Sequence, residues 1–348
     1  MTVRVPTRVP AAPDRAGAWL LAGGLGVLAL LCAAWQLGHA LAPARWIASA
    51  FAPGRDAAAL VFHFSTLPRL AVAALAGGAL ALAGALFQHV LGNPLASPVT
   101  LGVSAGAQLA LVVVTVAAPA TLGAWPQTAA LGGGLGAVVL TLAVAAPWRF
   151  APAAVILAGL AIGLFCGSLG HALRLFNQEY LSSVVLWNAG ALGQQDWSVV
   201  RTLLPRLAGL AALAALLVRP LGLMGFGEDG ARGLGLPAAP FRMLTLVVGV
   251  GLAAVVTASV GSIGFVEIAA PLVARLAGAR RLGVRLVVAP AVGAAMLVIV
   301  DTVVQVINAR FATAIPTGAA TALLAAPLLL VLAPRLRPDP RAGAPDWG

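Results

Sequence analysis

The chain has 348 residues, of which 61% are hydrophobic and 9% charged, and its mean hydropathy is +1.01. A water-soluble domain could not bury this much apolar surface, so the composition indicates a membrane protein. All 21 of its Lys and Arg positions are arginine, and the absence of lysine excludes both a P-loop nucleotide site and a Schiff-base lysine. The net charge of +11 is scattered between apolar stretches, which favours membrane orientation over nucleic-acid binding.

Apolar stretches long enough to cross a bilayer, about 20 residues each, follow one another along nearly the whole chain. Lipid offers the backbone no hydrogen-bond partners and the stretches are too long for barrel strands, so we expect helices. The predicted spans are 17–42, 67–91, 99–118, 127–147, 152–175, 199–221, 241–261, 264–277, 284–305 and 316–334. This predicts an all-α membrane protein of about ten transmembrane helices over 17–335. Residues 1–16 are expected to be a cytoplasmic tail, and 336–348 a cytoplasmic tail or linker stub.

The arginines predict the orientation of the bundle. With the N-terminus in the cytoplasm and the spans alternating, about twice as many arginines fall inside as outside, as the positive-inside rule requires. The inside set is Arg4, Arg8, Arg15, Arg149, Arg219, Arg232, Arg242, Arg275, Arg280, Arg281, Arg285, Arg335, Arg337 and Arg341. The outside set is Arg45, Arg55, Arg69, Arg174, Arg201, Arg206 and Arg310. An even number of spans follows, although a missed pair of helices would give the same result.

Small residues and helix breaks predict where helices meet. Small residues are dense at 76–79, 83–85 and 132–134, and helices without side-chain bulk can approach closely. A composition that is simply rich in alanine and glycine is the alternative. We expect breaks at Asn93-Pro94 and at Ala270-Pro271, and irregular backbone at membrane depth is tolerated only beside protein or a water-filled cavity. Both breaks are therefore candidates for a transport pathway.

A long ordered string of motifs runs from Leu67 to Gln108. It contains a Leu-Pro-Arg entry, a small-residue helix, a glutamine, Asn-Pro-Leu-Ala and Leu-Gly-Val-Ser-x-Gly-Ala. This string strongly resembles the FecCD family, the permeases of iron-siderophore, haem and vitamin B12 importers. The matching residues are Arg69, Gln88, Asn93, Pro94, Leu95, Ala96, Leu101, Gly102, Ser104 and Gly106. Further matches cover nearly the whole chain and include Gly190, Asp196-Trp197, Gly264-Phe265, Asp301 and Thr317-Gly318.

Within the family, the likeness is greatest to the N-terminal half of double-length ferric hydroxamate permeases. The resemblance implies a type II importer permease, driven by a separate ATPase, that moves an iron(III)-siderophore across the bacterial inner membrane. It implies as partners two ATPase copies, a periplasmic siderophore-binding protein, a second permease half and the lipid bilayer, but no nucleic acid, cofactor or catalytic residue. The half length leaves open a separate second permease chain, a homodimer or a truncated reading frame, and we favour pairing with a second half. Haem or cobalamin is the alternative cargo. An ion-coupled transporter is the alternative class, but it would require more buried acidic residues.

The resemblance also implies roles for particular residues. The polar stretch 225–237 is similar to the family's coupling loop, a short helix that sits in a groove of the ATPase; an ordinary turn is the alternative. The matching residues of that loop are Gly227, Glu228, Ala231, Arg232, Leu234 and Gly235. Arg69 would hold an acidic residue of the binding protein, or would simply snorkel to the interface. Many members carry a second arginine where this chain has Thr66, so docking is expected to use Arg55 or Arg45 as well.

Two acidic residues lie in or beside apolar spans, where an unpaired charge is costly. Asp301 matches a family acidic position and is expected to bond helices together. Glu267 stands where the family has a small residue, and it is either a contact for the passing complex or an exposed residue favoured by the helix dipole. With Asn93, Pro94 and Pro271, these two complete the pathway and helix-break candidates. The four histidines have no ligand-like spacing, so no metal site is predicted.

Overall fold

The structure, a computed structural model, describes residues 15–117, 126–148, 150–177, 189–190, 192–224 and 238–332. Within these ranges the chain forms helices and connecting segments, without a β-strand. The α-helices are α1 (Arg15–Ala40), α2 (Trp46–Phe51), α3 (Ala57–Val61), α4 (Leu67–Val90), α5 (Val103–Ala117), α6 (Pro126–Ala145), α7 (Pro152–Phe176), α8 (Ser198–Met224), α9 (Ala238–Val260), α10 (Val266–Leu276), α11 (Leu282–Phe311) and α12 (Thr317–Leu332). Of the predicted tails at 1–16 and 336–348, residues 1–14 and 336–348 lie outside the described residues, and residues 15 and 16 already belong to α1.

Each predicted span corresponds to one of these helices, with α2 and α3 as short additional elements. Among the described residues, 7 helical segments are long and apolar enough to cross a membrane. The helices α5, α10 and α12 are shorter, at 15, 11 and 16 residues. The prediction of an all-helical membrane bundle is confirmed.

The second predicted span begins earlier than expected. Helical backbone continues from Ala57 to Val90, and a π-helical turn over Phe62–Thr66 joins α3 to α4. The polar side chains of His63, Ser65 and Thr66 interrupt the apolar pattern at this turn, which is why the sequence placed the start at 67. The π-helix is rare and occurs mostly as a single turn inside a longer α-helix, as it does here.

The core of the bundle consists of α4, α9 and α11. The most apolar windows of the segments that contain α4 and α9 are each 72% buried, whereas that of α1 is 6% buried. Helix α4 packs against α11, α9, α10 and α8. The outer helices α1, α6, α7 and α8 expose many large apolar side chains, as expected of surfaces that meet lipid or another apolar helix.

Glycines allow the central helices to cross at backbone contact. A Cβ atom on Gly77 would lie 2.3 Å from the carbonyl oxygen of Gly293, so α4 and α11 touch through their main chains. A Cβ atom on Gly133 would lie 2.3 Å from Cβ of Ala110 and 2.4 Å from the carbonyl oxygen of Gly106, which joins α5 to α6. The prediction that these small-residue segments pack helix on helix is confirmed.

Candidate functional site

Asp301 is the centre of a polar network inside the apolar bundle. Nε of Arg69 donates to Oδ2 of Asp301 at 2.9 Å, and Nη2 of Arg69 donates to Oδ1 at 2.8 Å. Gln305 donates to Oδ2 at 2.8 Å, and the Thr317 hydroxyl donates to Oδ1 at 2.9 Å. The carboxylate, which is 0% exposed, thus accepts four hydrogen bonds. Burying a charge is tolerated when it is paired and fully hydrogen-bonded in this way.

This network ties together helices that are distant in sequence. Arg69 lies on α4, Asp301 and Gln305 on α11, and Thr317 at the start of α12. One residue after Asp301, the Thr302 hydroxyl accepts a hydrogen bond of 2.6 Å from Nε2 of Gln36 on α1. Sequence reasoning missed Gln36 and Gln305. The available signal was an isolated glutamine within an apolar span, which requires a polar partner once it is buried.

The three arginines considered for docking of the binding protein differ in their surroundings. The Arg69 side chain is 22% exposed, and its guanidinium is held by Asp301. Arg45 forms an exposed ion pair with Asp56 at 2.9 Å. Arg55 is exposed and has no ion-pair partner among the described residues. Docking of a binding protein by Arg69 and Arg55 stays a prediction, and Arg55 is the one whose guanidinium is free for a new partner.

Glu267 lies at a close crossing of α4 and α10. The residue is 1% exposed, so the alternative of an exposed residue is wrong, although Glu267 does lie in the first turn of α10. The backbone N–H of Val99 approaches Oε1 of Glu267 at 3.4 Å. Nε2 of Gln88 donates to the carbonyl of the next residue, Ile268, at 3.2 Å. These contacts connect the end of α4 and the segment after it to α10.

The helix break predicted at Pro271 is displaced. Helix α10 continues through Pro271, and the non-helical segment lies before it, at 261–265. Proline has no N–H, so the carbonyl of Glu267, four residues earlier, loses its intrahelical partner. A Cβ atom on Gly84 would lie 1.6 Å from that carbonyl oxygen. The backbone of α4 therefore covers the freed carbonyl, and Pro271 remains helical within this contact.

The other predicted break, Asn93-Pro94, is a turn after α4. The side-chain oxygen of Asn93 accepts a hydrogen bond from the N–H of Leu95 at 2.9 Å. The backbone carbonyl of Asn93 accepts one from the N–H of Ala96 at 3.1 Å. Asparagine followed by proline favours such a turn. Among the pathway candidates, Asn93 and Pro94 are partly exposed, whereas Glu267, Pro271 and Asp301 are buried.

Two non-helical segments, 189–190 and 261–265, meet the start of α12. The N–H groups of Gly318 and Ala319 donate to the carbonyls of Gly190 and Ala189 at 2.9 and 3.1 Å, which satisfies the start of α12. Gly190 has a φ of +73°, and a Cβ atom there would lie 2.5 Å from the carbonyl oxygen of Ser262. Only glycine fits this position, because it needs both a left-handed backbone and close contact.

A charged side chain, that of Asp196, lies two residues before the start of α8. Oδ1 of Asp196 accepts hydrogen bonds from the N–H of Ser198 at 2.9 Å and from the Ser198 hydroxyl. These hydrogen bonds hold the pKa of Asp196 below its usual range. The carboxylate therefore stays charged at neutral pH, where it complements the helix dipole.

The predicted coupling residues lie outside the described residues. They are Gly227, Glu228, Ala231, Arg232, Leu234 and Gly235. The described helices on either side are α8, which ends at Met224, and α9, which begins at Ala238. The role of this segment stays a prediction.

An all-helical bundle with apolar outer faces and a buried, fully paired charge defines a multi-pass membrane protein. Residues 25–335 match the FecCD transport family, and the chain belongs to this family. It is 43% identical over 309 residues to the iron(3+)-hydroxamate import system permease protein FhuB of Salmonella typhimurium, covering 88% of this chain and 44% of that relative. It is 34% identical over 267 residues to the Fe(3+)-citrate import system permease protein YfmE of Bacillus subtilis, covering 76% and 79%.

The fold is also that of a solved transporter. A metal-chelate type ABC transporter in an inward-facing conformation matches with a TM-score of 0.75 and 25% identity, over 92% of this chain and 100% of that one. The chain spans about half the length of the hydroxamate relative it matches. Family, relatives and helices together identify a multi-pass protein of the bacterial inner membrane with the fold of an ABC importer permease.

Proposed function

We propose that this chain is the permease subunit of an ABC importer that carries an iron(III)-hydroxamate siderophore across the inner membrane. The observation that carries the proposal is the gradient of identity, which is 43% to the hydroxamate relative and 34% to the citrate relative. The energy would come from a separate ATPase, since the sequence has no lysine and hence no P-loop. The cargo would be delivered by a periplasmic siderophore-binding protein.

A second permease half would complete the passage. The match covers 44% of the hydroxamate relative, so more than half of that relative lies outside the aligned region. Helix α7 exposes a row of large apolar side chains, including Leu157, Leu160, Leu164 and Phe165, which are 56–66% exposed. Such a face suits either lipid or an apolar partner helix, and we propose that a second half, from another chain or another copy, uses part of this surface.

The mechanism we propose is alternating access driven from the cytoplasmic end. The coupling segment, with Glu228 and Arg232 as its charged residues, would sit against one of two ATPase copies and shift α8 and α9 when ATP is bound. The hydrogen bonds at Asp301 and the glycine contacts of α4 would make α4, α11 and α12 move as one body. Closely packed helices transmit such shifts because a packed core deforms little.

Reconstituted vesicles test the proposal. The chain is combined with its ATPase, its binding protein and its second permease half, and uptake of radioactive iron as a ferric hydroxamate is compared with uptake of ferric citrate and of cobalamin. We expect ATP-dependent uptake of the hydroxamate complex and none with a non-hydrolysable ATP analogue. Preferential uptake of cobalamin would contradict the cargo. Uptake by the chain without any ATPase would overturn the importer mechanism and favour an ion-coupled transporter.

A further inference from the structure

An arginine-lined cavity opens at the end of the bundle predicted to be cytoplasmic. It has a volume of about 590 Å³ and lies between the end of α4, the end of α10 and the start of α11. Its polar lining includes Arg275, Arg280, Arg285 and His89. The volume falls within the range of about 300–1,000 Å³ that is typical of small-ligand pockets. No role proposed above uses this cavity.

Among the described residues, the arginines of this cavity have no acidic partner. Arg285 is only 7% exposed, and its buried Nε has no hydrogen-bond partner in the described parts of the chain. Within the described part of the chain, neither it nor Arg275 nor Arg280 forms an ion pair, and the described lining contains no acidic residue. Nε2 of His89 donates to the carbonyl of Leu221 at 2.9 Å, and a histidine, whether neutral or protonated, brings no negative charge to the cavity. A buried guanidinium without a partner is costly, and neighbouring positive charges increase that cost.

The remaining features of the cavity suit an anion that carries a phosphate group. A guanidinium presents paired N–H donors that match phosphate oxygens. Leu282, the first residue of α11, also lines the cavity. The first N–H groups of a long helix have no intrahelical partners and attract anions. The cavity thus combines three guanidinium groups with a helix start.

We propose that this cavity binds the phosphate of an anionic phospholipid headgroup in the cytoplasmic leaflet. Basic pockets between transmembrane helices on the cytoplasmic side bind such headgroups, and this cavity lies between three membrane helices at that end. Leu276 and Leu282 supply apolar surface beside the arginines, as a lipid's glycerol and acyl region requires. The proposed ATPase contact is a different segment, 225–237, so the inference does not depend on it or on the cargo.

The arginine pair 280–281 provides a matched test. Both residues are exposed neighbours, but only Arg280 lines the cavity. The purified full chain is placed in zwitterionic detergent, and its unfolding midpoint is followed by tryptophan fluorescence. Phosphatidylglycerol, phosphatidylcholine with the same acyl chains, or inorganic phosphate is then titrated in. Arg275→Gln and Arg280→Gln are compared with Arg281→Gln, which removes the same charge one position away.

We expect phosphatidylglycerol to raise the unfolding midpoint more than phosphatidylcholine does. Loss of one charged hydrogen-bond donor should increase the half-saturating lipid concentration about tenfold in Arg275→Gln and Arg280→Gln, and Arg281→Gln should match the wild type. Arg285→Gln would change a buried position, and such a change can by itself prevent folding. The test therefore relies on Arg275→Gln and Arg280→Gln, which change exposed positions.

Three results would overturn the proposal. Equal effects of Arg280→Gln and Arg281→Gln would show a general surface-charge effect. Inorganic phosphate that acts at the same concentration as phosphatidylglycerol would assign the cavity to a soluble phosphate. An unchanged lipid response together with weaker binding of the ATPase subunit in Arg280→Gln would make the cavity a protein contact.

Discussion

Asp301 illustrates how single residues keep a charge stable inside an apolar bundle. Its carboxylate is completely buried and receives hydrogen bonds from Arg69, Gln305 and Thr317. An intramembrane acidic residue is often a sign of ion transport. Here the carboxylate is neutralised by a bidentate guanidinium and connects three helices. A structural role explains this residue without proton coupling.

Arg69→Gln should therefore destabilise the protein. Removing one partner leaves the buried Asp301 charge unpaired, and we expect the free energy of unfolding to fall by about 3 kcal/mol. The measurement is equilibrium unfolding in detergent, followed by tryptophan fluorescence.

Arg55→Gln is the matched control for that experiment. Arg55 is exposed, and a surface substitution without partners should change stability by less than about 0.5 kcal/mol. If Arg55 docks the binding protein, the same variant should weaken that complex in a salt-dependent manner. Equal stability of Arg69→Gln and Arg55→Gln would contradict the importance of the ion pair.

At the scale of helices, backbone contact through glycine holds the bundle together. Gly77 meets Gly293, Gly84 meets the carbonyl of Glu267, and Gly106 meets Gly133. Helices in lipid gain little from the hydrophobic effect, so close packing must supply much of their association energy. These crossings explain why the central helices are rich in small residues whereas the outer ones carry large apolar side chains.

Alanine substitutions at the adjacent glycines Gly132 and Gly133 on α6 distinguish the effect of helix packing on stability from the effect of helix propensity. A Cβ atom on Gly133 would overlap Ala110 and Gly106 of α5, whereas one on Gly132 meets nothing within 4 Å. We expect Gly133→Ala to lower the free energy of unfolding by about 1–3 kcal/mol through overpacking. Gly132→Ala should be neutral or stabilise α6 by up to about 1 kcal/mol. Denaturation of both variants in the same detergent measures the difference, and equal losses would contradict the α5–α6 contact.

The segment between α8 and α9 is where we expect coupling to the ATPase. Replacing Glu228 and Arg232 by glutamine should reduce uptake about tenfold while ATP hydrolysis and the unfolding midpoint stay close to wild type. Asp229→Asn changes a charge in the same segment outside the matching pattern, and it should retain uptake. Paired uptake and ATPase assays in vesicles measure this, and full uptake by the double variant would refute the assignment.

At the scale of the whole molecule, the chain presents apolar faces on most sides. The most apolar window of α1 is 6% buried and that of α8 is 22% buried, so these helices contribute surface to lipid or to a partner. We expect the solubilised complex to contain two permease halves and two ATPase copies. Native mass spectrometry measures the composition, and a stable assembly with one permease half that still transports would contradict the pairing.

The helices, the membrane and the family could be predicted from the sequence. Every helix that crosses a bilayer needs about 20 mostly apolar residues. Each such stretch can therefore be recognised as a helix without knowledge of the rest of the chain. The start of the second span was missed because His63, Ser65 and Thr66 are polar although their backbone is helical. A motif string such as Asn93 to Ala96 is equally local, and so it could identify the family.

The contacts within the site were decided by tertiary structure alone. Arg69 and Asp301 are separated by 232 positions, and no local pattern indicates that they pair. The burial of Glu267 depends on Gly84 of another helix. Arg275, Arg280 and Arg285 line one cavity only because α10 and α11 meet at one end of the bundle. Hydropathy is a property of each segment by itself, so membrane-spanning helices can be predicted from the local sequence. Charge pairing and cavity formation depend on which distant segments pack together, and only the folded bundle determines that.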